Sequence, residues 1–342
     1  MSRETGLRDK LPEESSSDSQ PLPPSRCKAC GSADFERLWD QGNGFSVAEC
    51  RDCLLTATLP ALPAADIARY YPARYYGKKN RRFHSLLEKV IPVFRARRRR
   101  AIERQVRAGR MLDVGCGRGL LPALMRTHGW EVYGVEFSET AADHARNELK
   151  VPVFVGDFCE SPFPGSHFDV IVFWHVLEHV VDPVAALRKS YEISKPGGLL
   201  VIAVPNFESL QAQATRRHWF HLDVPRHYHH FRLTVLRRLL EENGFSVEAV
   251  SHFSLEYNPY GWIQSLLNWI GFPTNLLYEF LKNKSARADA RPVYRYPLRF
   301  LLMLLTLPVV VPSSFVLFLL ETVLRRGGTV EVYARSTKPE RD

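Results

Sequence analysis

The first 25 residues hold almost no large apolar side chains; Ser, Pro, Glu and Asp dominate. Such a stretch cannot bury enough surface to offset the entropy of ordering, so 1–25 reads as a disordered tail. No apolar run follows the first charges, which argues against a signal peptide. Cysteine is sparse, six in 342 residues. Without a secretion signal these six read as reduced cytoplasmic thiols open to metal, not as a disulfide framework. Acid is in deficit: 37 Asp and Glu stand against 46 Lys and Arg, a formal charge of +9. That balance favours anionic partners, acidic lipid or nucleic acid; a solvated basic surface is the plain alternative. The apolar share of 45% is enough to fill a core, and the length admits two domains or one with insertions.

Glycine is concentrated where it matters most. In Met111–Gly119, apolar residues lead to Asp113, glycines stand at 115, 117 and 119, and a helical pattern opens at Leu120. This reads as strand, tight turn, helix, with a backbone that a ligand can approach closely. A pyrophosphate-binding turn needs Gly-x-Gly-x-x-Gly. Here the third glycine comes one residue early and an acid precedes the first. That acid suits an ammonium or sulfonium better than a pyrophosphate. Further strands read at Glu131–Glu136, Val153–Asp157, Phe168–His175, Pro196–Val204, Ser246–Phe253 and Thr329–Arg335, with helical patterns between most of them. The alternation predicts a mostly parallel sheet covered on both faces. Its ligand edge, at the carboxyl ends of the strands, would carry Asp113, Glu136, Asp157 and the residues after Phe173.

Two Cys-x-x-Cys pairs, Cys27/Cys30 and Cys50/Cys53, flank residues 31–49. This is the spacing of a four-thiolate zinc ribbon, with the strand Phe45–Cys50 bringing the pairs together. The ribbon lacks a dense basic and aromatic face, so it reads as a structural cap and not as a nucleic-acid binder. Cys116 and Cys159 fall at core-type positions.

The glycine turn with its acid-ended strands resembles class I S-adenosylmethionine-dependent methyltransferases, from about Gly109 to Val250 and again at Thr329–Arg335. It is closest to the broad methyltransferase-23 and type 11–12 group, which carries an N-terminal Cys-x-x-Cys pair and a Pro-Arg-His segment, here Pro225-Arg226-His227. The resemblance implies an α/β, Rossmann-like seven-stranded sheet and S-adenosylmethionine as cofactor. It implies a cofactor site of Asp113, Gly115, Gly117, Gly119, Glu136, Phe137, Asp157, Phe158 and Trp174. Glu136 would hold the ribose hydroxyls, Asp157 and Phe158 the adenine, and the glycine turn the methionine part.

Histidine marks the chemistry. His175-Val-Leu-Glu178-His179 follows the fourth strand, and His218, His221, His227, His229 and His230 crowd the segment after the fifth. Similar ubiquinone-pathway enzymes carry Glu-x-x-Glu-His in the first position; His175 in place of a Glu weakens a hard-metal site. The second segment reads as a loop over the reacting centre. There His227 would take a proton from an acceptor hydroxyl, Asp223 would orient it, and His175 would complete the catalytic set. Thr234 is expected to cap the next helix.

The remaining signals are two helices and a linker. Residues 81–108 read as a basic amphipathic helix broken near Pro92, followed by Arg97–Arg100, a run that is usually a solvated face. Tyr70, Tyr71, Tyr75 and Tyr76 would line a ligand mouth or only pack. Between the sixth and last strands, Trp262 and Trp269 mark an amphipathic helix. Leu298–Leu320 is long and apolar enough to enter a bilayer, the alternative being a buried helix pair. Pro308 and Pro312 are expected to break it into a hairpin with Trp262 and Trp269 at headgroup level. The chain thus divides into a tail (1–25), a zinc ribbon (26–58), a helical linker or cap (59–108), a methyltransferase domain (109–254 and 327–336) and an apolar, membrane-interacting insert (255–326). The expected activity is O-methylation of a membrane-embedded or lipid-linked acceptor, a glycan or quinone-type phenol. The expected location is the cytoplasmic face of the membrane, with membrane lipids as partner and no nucleic acid. A zinc-ribbon nucleic-acid methyltransferase and a sugar C-methyltransferase are the alternatives.

Overall fold

The computed structural model describes residues 25–42, 44–63, 70, 89–282 and 296–340. Residues 1–24 of the tail, Tyr71, Tyr75 and Tyr76, the start of the helix expected at 81–108, and Arg295 lie outside the described residues.

The N-terminal part is built from β1 (Phe35–Gly42), β2 (Phe45–Cys50) and β3 (Thr56–Leu59), followed by helix α1 (Ile91–Glu103). Pro92 sits in the first turn of α1. It opens this helix and does not break it, because the first turn has no intrahelical partner for the missing N–H. Then come β4 (Arg110–Val114), α2 (Leu120–Arg126), β5 (Glu131–Glu136), α3 (Glu139–Asn147), β6 (Val153–Val155), β7 (Phe168–Trp174), α4 (Pro183–Ile193) and β8 (Ser194–Pro205). The chain continues through α5 (Leu210–Thr215), β9 (His229–His230), α6 (Leu233–Glu242) and β10 (Phe245–Ser251). It closes with α7 (Asn258–Trp269), α8 (Leu276–Leu281), α9 (Pro297–Val323) and β11 (Thr329–Ser336). The residue capping α6 is Arg232, with no side-chain hydrogen bond; Thr234 lies inside the helix, so the expected cap is displaced by two residues.

The seven-stranded sheet runs β10-β11-β8-β7-β4-β5-β6. β4 to β8 pair in parallel, and β11 is antiparallel to both β8 and β10. The central strands are apolar on both faces, as a doubly covered sheet requires. Leu112, Ile171, Phe173, Leu200 and Ile202 enter one core layer. Met111, Val170, Val172, Leu199 and Val201 enter the other.

The second sheet has the order β1-β2-β3-β9. Its last strand does not belong to the N-terminal region: β9 comes from the loop after β8 and pairs with β3 (Thr56 with His230, Ala57 with His229). Cys27, Cys50, Cys53 and Leu55 share a core layer with Phe231, Val235 and Leu239.

The insert departs furthest from expectation. Pro308 and Pro312 do not break Leu298–Leu320: α9 is one helix of 27 residues, about 40 Å at 1.5 Å per residue. The two prolines lie on the helix's exposed side. A return does occur, one arm earlier. α7 and α8 descend along α9, with Leu267, Leu276, Leu277, Met303 and Val310 between them. Phe280 meets Phe300 at a centroid distance of 4.9 Å. At the root, the buried Glu321 carboxylate accepts from Trp262 Nε1 (2.8 Å), Gln211 Nε2 (3.1 Å) and Gly328 N (3.2 Å). Trp262 is therefore an internal anchor, 2% exposed, while Trp269 is 58% exposed. The alternative of a buried helix pair also fails, since only 17% of the most apolar window of α9 is buried.

Candidate active site

The turn between β4 and α2 is held from below. Gly115 N and Cys116 N donate to Val135 O at 2.8 and 3.0 Å. A Cβ on Gly115 would collide with the Val176 side chain, and one on Gly119 would lie 2.7 Å from the Ala145 Cβ. Those two glycines are required by packing. Gly117 differs: its φ is +55° and a Cβ there would stand in open space. Its N–H donates to Glu136 Oε2 (2.8 Å), and Glu136 Oε1 accepts from Ser138 N (2.9 Å). The acid ending β5 is thus fixed at the lip of the turn.

Asp113 is buried, and burial pushes its carboxyl up to about 7 against the pull of Arg95 and Arg98. Both arginines come from α1, in and beside the run expected to be a solvated face. Arg98 is 4% exposed, lies 4.1 Å over the Trp174 ring, pairs with Glu256 and donates to Tyr257 Oη at 3.0 Å. Arg97 pairs with the buried Glu331 at 2.6 Å. The sequence reading missed Arg95, Arg98, Glu256 and Tyr257. The one available signal was the 95/98 spacing, which places both on one helix face.

Of the other expected cofactor residues, Phe137 is 64% exposed and Asp157 caps the turn at 158–160 through Cys159 N (2.8 Å). The Phe158 ring packs edge-on against Phe173 within the core, so it is not offered to an adenine.

The histidines converge. His175 follows β7 at φ +55°, a left-handed conformation that costs a non-glycine residue on the order of 1 kcal/mol. Its ring lies 4.0 Å from that of Tyr257, and Nδ1 is 3.2 Å from Glu178 Oε1. Burial pushes His175 and His221 down to about 3 and Glu178 up to about 7. His227 Nδ1–H donates to His221 O at 2.9 Å, which fixes the tautomer and leaves the Nε2 lone pair as acceptor. Burial, then the neighbouring His179 and His230, hold His227 well below the ordinary histidine range. Asp223 does not orient the ring as expected. Its Oδ1 is bound by Arg226 and its Oδ2 stands 3.8 Å from His227 Nε2; the orienting group is the His221 carbonyl. Glu178, His179 and His227 also bring three ligand atoms within 4.8 Å of one another.

The four ribbon sulfurs lie within 4.8 Å of one another. Cys27 to Cys53 is 3.4 Å and Cys30 to Cys50 is 3.5 Å, too long for a disulfide at about 2.05 Å. Four sulfurs each about 2.3 Å from a central ion would be roughly 3.8 Å apart, so the cage fits zinc.

A methyltransferase-domain family model matches residues 86–250. An uncharacterized methyltransferase of Geobacillus sp. (strain WCH70) is 35% identical over 149 residues, 40% of this chain and 70% of the relative. The chain belongs to the class I S-adenosylmethionine-dependent methyltransferases. Among the methyltransferases to which it is similar is the ubiquinone biosynthesis O-methyltransferase of Ruegeria pomeroyi, 31% identical over 180 residues, 48% of this chain and 70% of the relative. A solved S-adenosylmethionine-dependent methyltransferase from Archaeoglobus fulgidus covers 71% of this methyltransferase at 22% identity and a TM-score of 0.46, with 93% of its own chain aligned.

Proposed function

We propose that this methyltransferase methylates a hydroxyl on a membrane-borne acceptor, a quinone-type phenol or a lipid-linked glycan. The carrying observation is that the apolar insert is rooted at the candidate active site. Tyr257, whose ring covers His175, is the residue that caps α7, and α7 packs along α9. Relatives named for ubiquinone O-methylation favour the phenol.

S-adenosylmethionine, when bound, supplies an electrophilic methyl on a sulfonium. The residues suit its parts. Gly117 leaves room beside the turn, Glu136 presents a carboxylate to the ribose hydroxyls, and Asp113 with Arg95 offers both charges to the amino-acid end. His227 Nε2 would take the proton of the acceptor hydroxyl as that oxygen attacks the methyl that bound S-adenosylmethionine would supply. Asp223 Oδ2, 3.8 Å away, stabilises the imidazolium so formed. Alignment in a water-poor pocket supplies most of the rate. A second reading rests on the Glu178, His179 and His227 cluster: a divalent cation there would acidify the acceptor hydroxyl in place of a base. Chelator-sensitive turnover would favour it.

The same reading places the protein on the cytoplasmic membrane face, with α9 lying in the plane of the interface. No charge falls between Arg299 and Glu321. A spanning α9 would require Lys282, Lys284, Arg287, Arg291 and Arg295 to cross the bilayer, against the bias of basic segments for the cytoplasmic side. Zinc on the four cysteines serves as a structural element. Lipids co-purifying with the protein, incubated with methyl-labelled S-adenosylmethionine, should yield a labelled lipid. Label appearing only in RNA or in water-soluble sugar would overturn the proposal.

A further inference from the structure

We propose that Thr58, in the N-terminal sheet, is the positioning residue for the His227 imidazole; the inference builds on His227 being the base. The segment between β8 and α6 carries little regular structure of its own around His227: short turns at 216–218 and 220–222, then the two-residue β9. Its backbone is held from outside: Tyr228 N donates to Glu178 O at 2.9 Å, His179 Nδ1 binds Arg226 O at 3.0 Å, and the His227 carbonyl is bound by a residue 169 positions earlier in the chain.

Thr58 grips the peptide on both sides of Tyr228 N. Its Oγ1 donates to His227 O at 2.6 Å, and its N–H donates to Tyr228 O at 3.0 Å. The hydroxyl has one proton, so the contact with His230 Nε2 at 3.0 Å must be a bond that Oγ1 accepts. His230 is therefore the Nε2–H tautomer. Thr58, His227 and His230 are 2%, 6% and 3% exposed, so water cannot replace either bond. The next residues extend the clasp through the β3–β9 pairing, the Arg232–Glu49 ion pair, and Arg238, which donates to Cys53 O. The His227 carbonyl is thus tied to the ribbon while its ring is tied to His221 O. Together the two fix where Nε2 points. Valine would fill the same space and keep the N–H bond to Tyr228 O, but make neither hydroxyl bond.

The test compares Thr58→Val with Thr58→Ser in full-length protein carrying 15N-labelled histidine. In the wild type, His230 should show the Nε2–H tautomer; an Nδ1–H tautomer overturns the inference with no variant needed. Thr58→Val should shift the His227 ring resonances, and Thr58→Ser should restore them. Unchanged His227 resonances in Thr58→Val also overturn it, whatever His227 does in turnover. With methyl-labelled S-adenosylmethionine and the co-purifying lipid extract, Thr58→Val should lower kcat about 10- to 100-fold while KM for S-adenosylmethionine holds, and Thr58→Ser should recover most of it. On a His227→Ala background Thr58→Val should add nothing; an equal further loss places its effect elsewhere and refutes the proposal. If His227→Ala alone keeps normal turnover, the base assignment fails, and the resonances still decide what Thr58 does.

Discussion

Replacing Leu305 and Val316 by lysine should detach the protein from membranes without unfolding it. Both lie on the solvent-facing side of α9, 67% and 65% exposed. They share that side with Leu298, Val309 and Val323, opposite the packed stripe of Met303, Val310, Ser314 and Glu321. Neither substitution removes a packed contact, and lysine is a good helix former, so the melting temperature should barely move. Full burial of a Leu or Val contributes about 1.5–3 kcal/mol. With about two thirds of each side chain facing outward, each substitution should cost roughly 1–2 kcal/mol of membrane binding. Together that is about 2–4 kcal/mol, or roughly 30- to 1,000-fold in partitioning. Flotation with vesicles of phosphatidylcholine and phosphatidylglycerol measures it directly. A double variant that floats like the wild type would show that this face does not meet acyl chains. A double variant that unfolds would show that the face is covered in the native protein.

The other expectations concern the site. Glu136→Ala removes two hydrogen bonds from ribose to a charged acceptor, each worth about 1.5–3 kcal/mol, and also frees Gly117 N and Ser138 N; calorimetry giving wild-type affinity for S-adenosylmethionine would defeat the assignment. Purified protein should contain about one zinc, and Cys50→Ser should lose it together with ribbon structure, because the metal's binding energy is folding energy there; elemental analysis and circular dichroism decide. His227→Ala should lower turnover roughly 100- to 10,000-fold with cofactor affinity kept. Because His227 is held below the ordinary histidine range, it stays neutral, the form a base needs, as pH falls through 6.5; the 15N shifts of its ring should not move there, and a ring titration centred at that pH would contradict the buried-base assignment.

The sheet was legible because its cues are local. Asp113, Glu136 and Asp157 each follow a short apolar run, and Gly115 to Gly119 punctuate the first turn. Where chain-distant contacts decide, local reading failed. Arg97 to Arg100 look like a solvated run, yet Arg98 is buried because Trp174, Glu256 and Tyr257 receive it. Pro308 and Pro312 look like a break, yet α9 stays whole because α7 and α8 brace its other side. Thr58 carries no motif at all; its importance exists only through β9. Asp223 was expected to orient His227, yet Arg226, three residues on, binds its Oδ1 through two nitrogens, and the His221 carbonyl does the orienting.

The place of β11 sets an order of events during synthesis. It lies between β8 and β10, so both strands present unpaired edges until residues 329–336 leave the ribosome. Every residue of α9 precedes β11 in the chain. The most lipophilic helix therefore emerges while the sheet beside it is still open, and open edges invite pairing with other chains. A nascent chain that rests α9 on a bilayer keeps its two open edges at a surface and away from other unfinished copies. On the proposed membrane placement, capture of α9 would be a chaperoning step that comes before closure of the sheet.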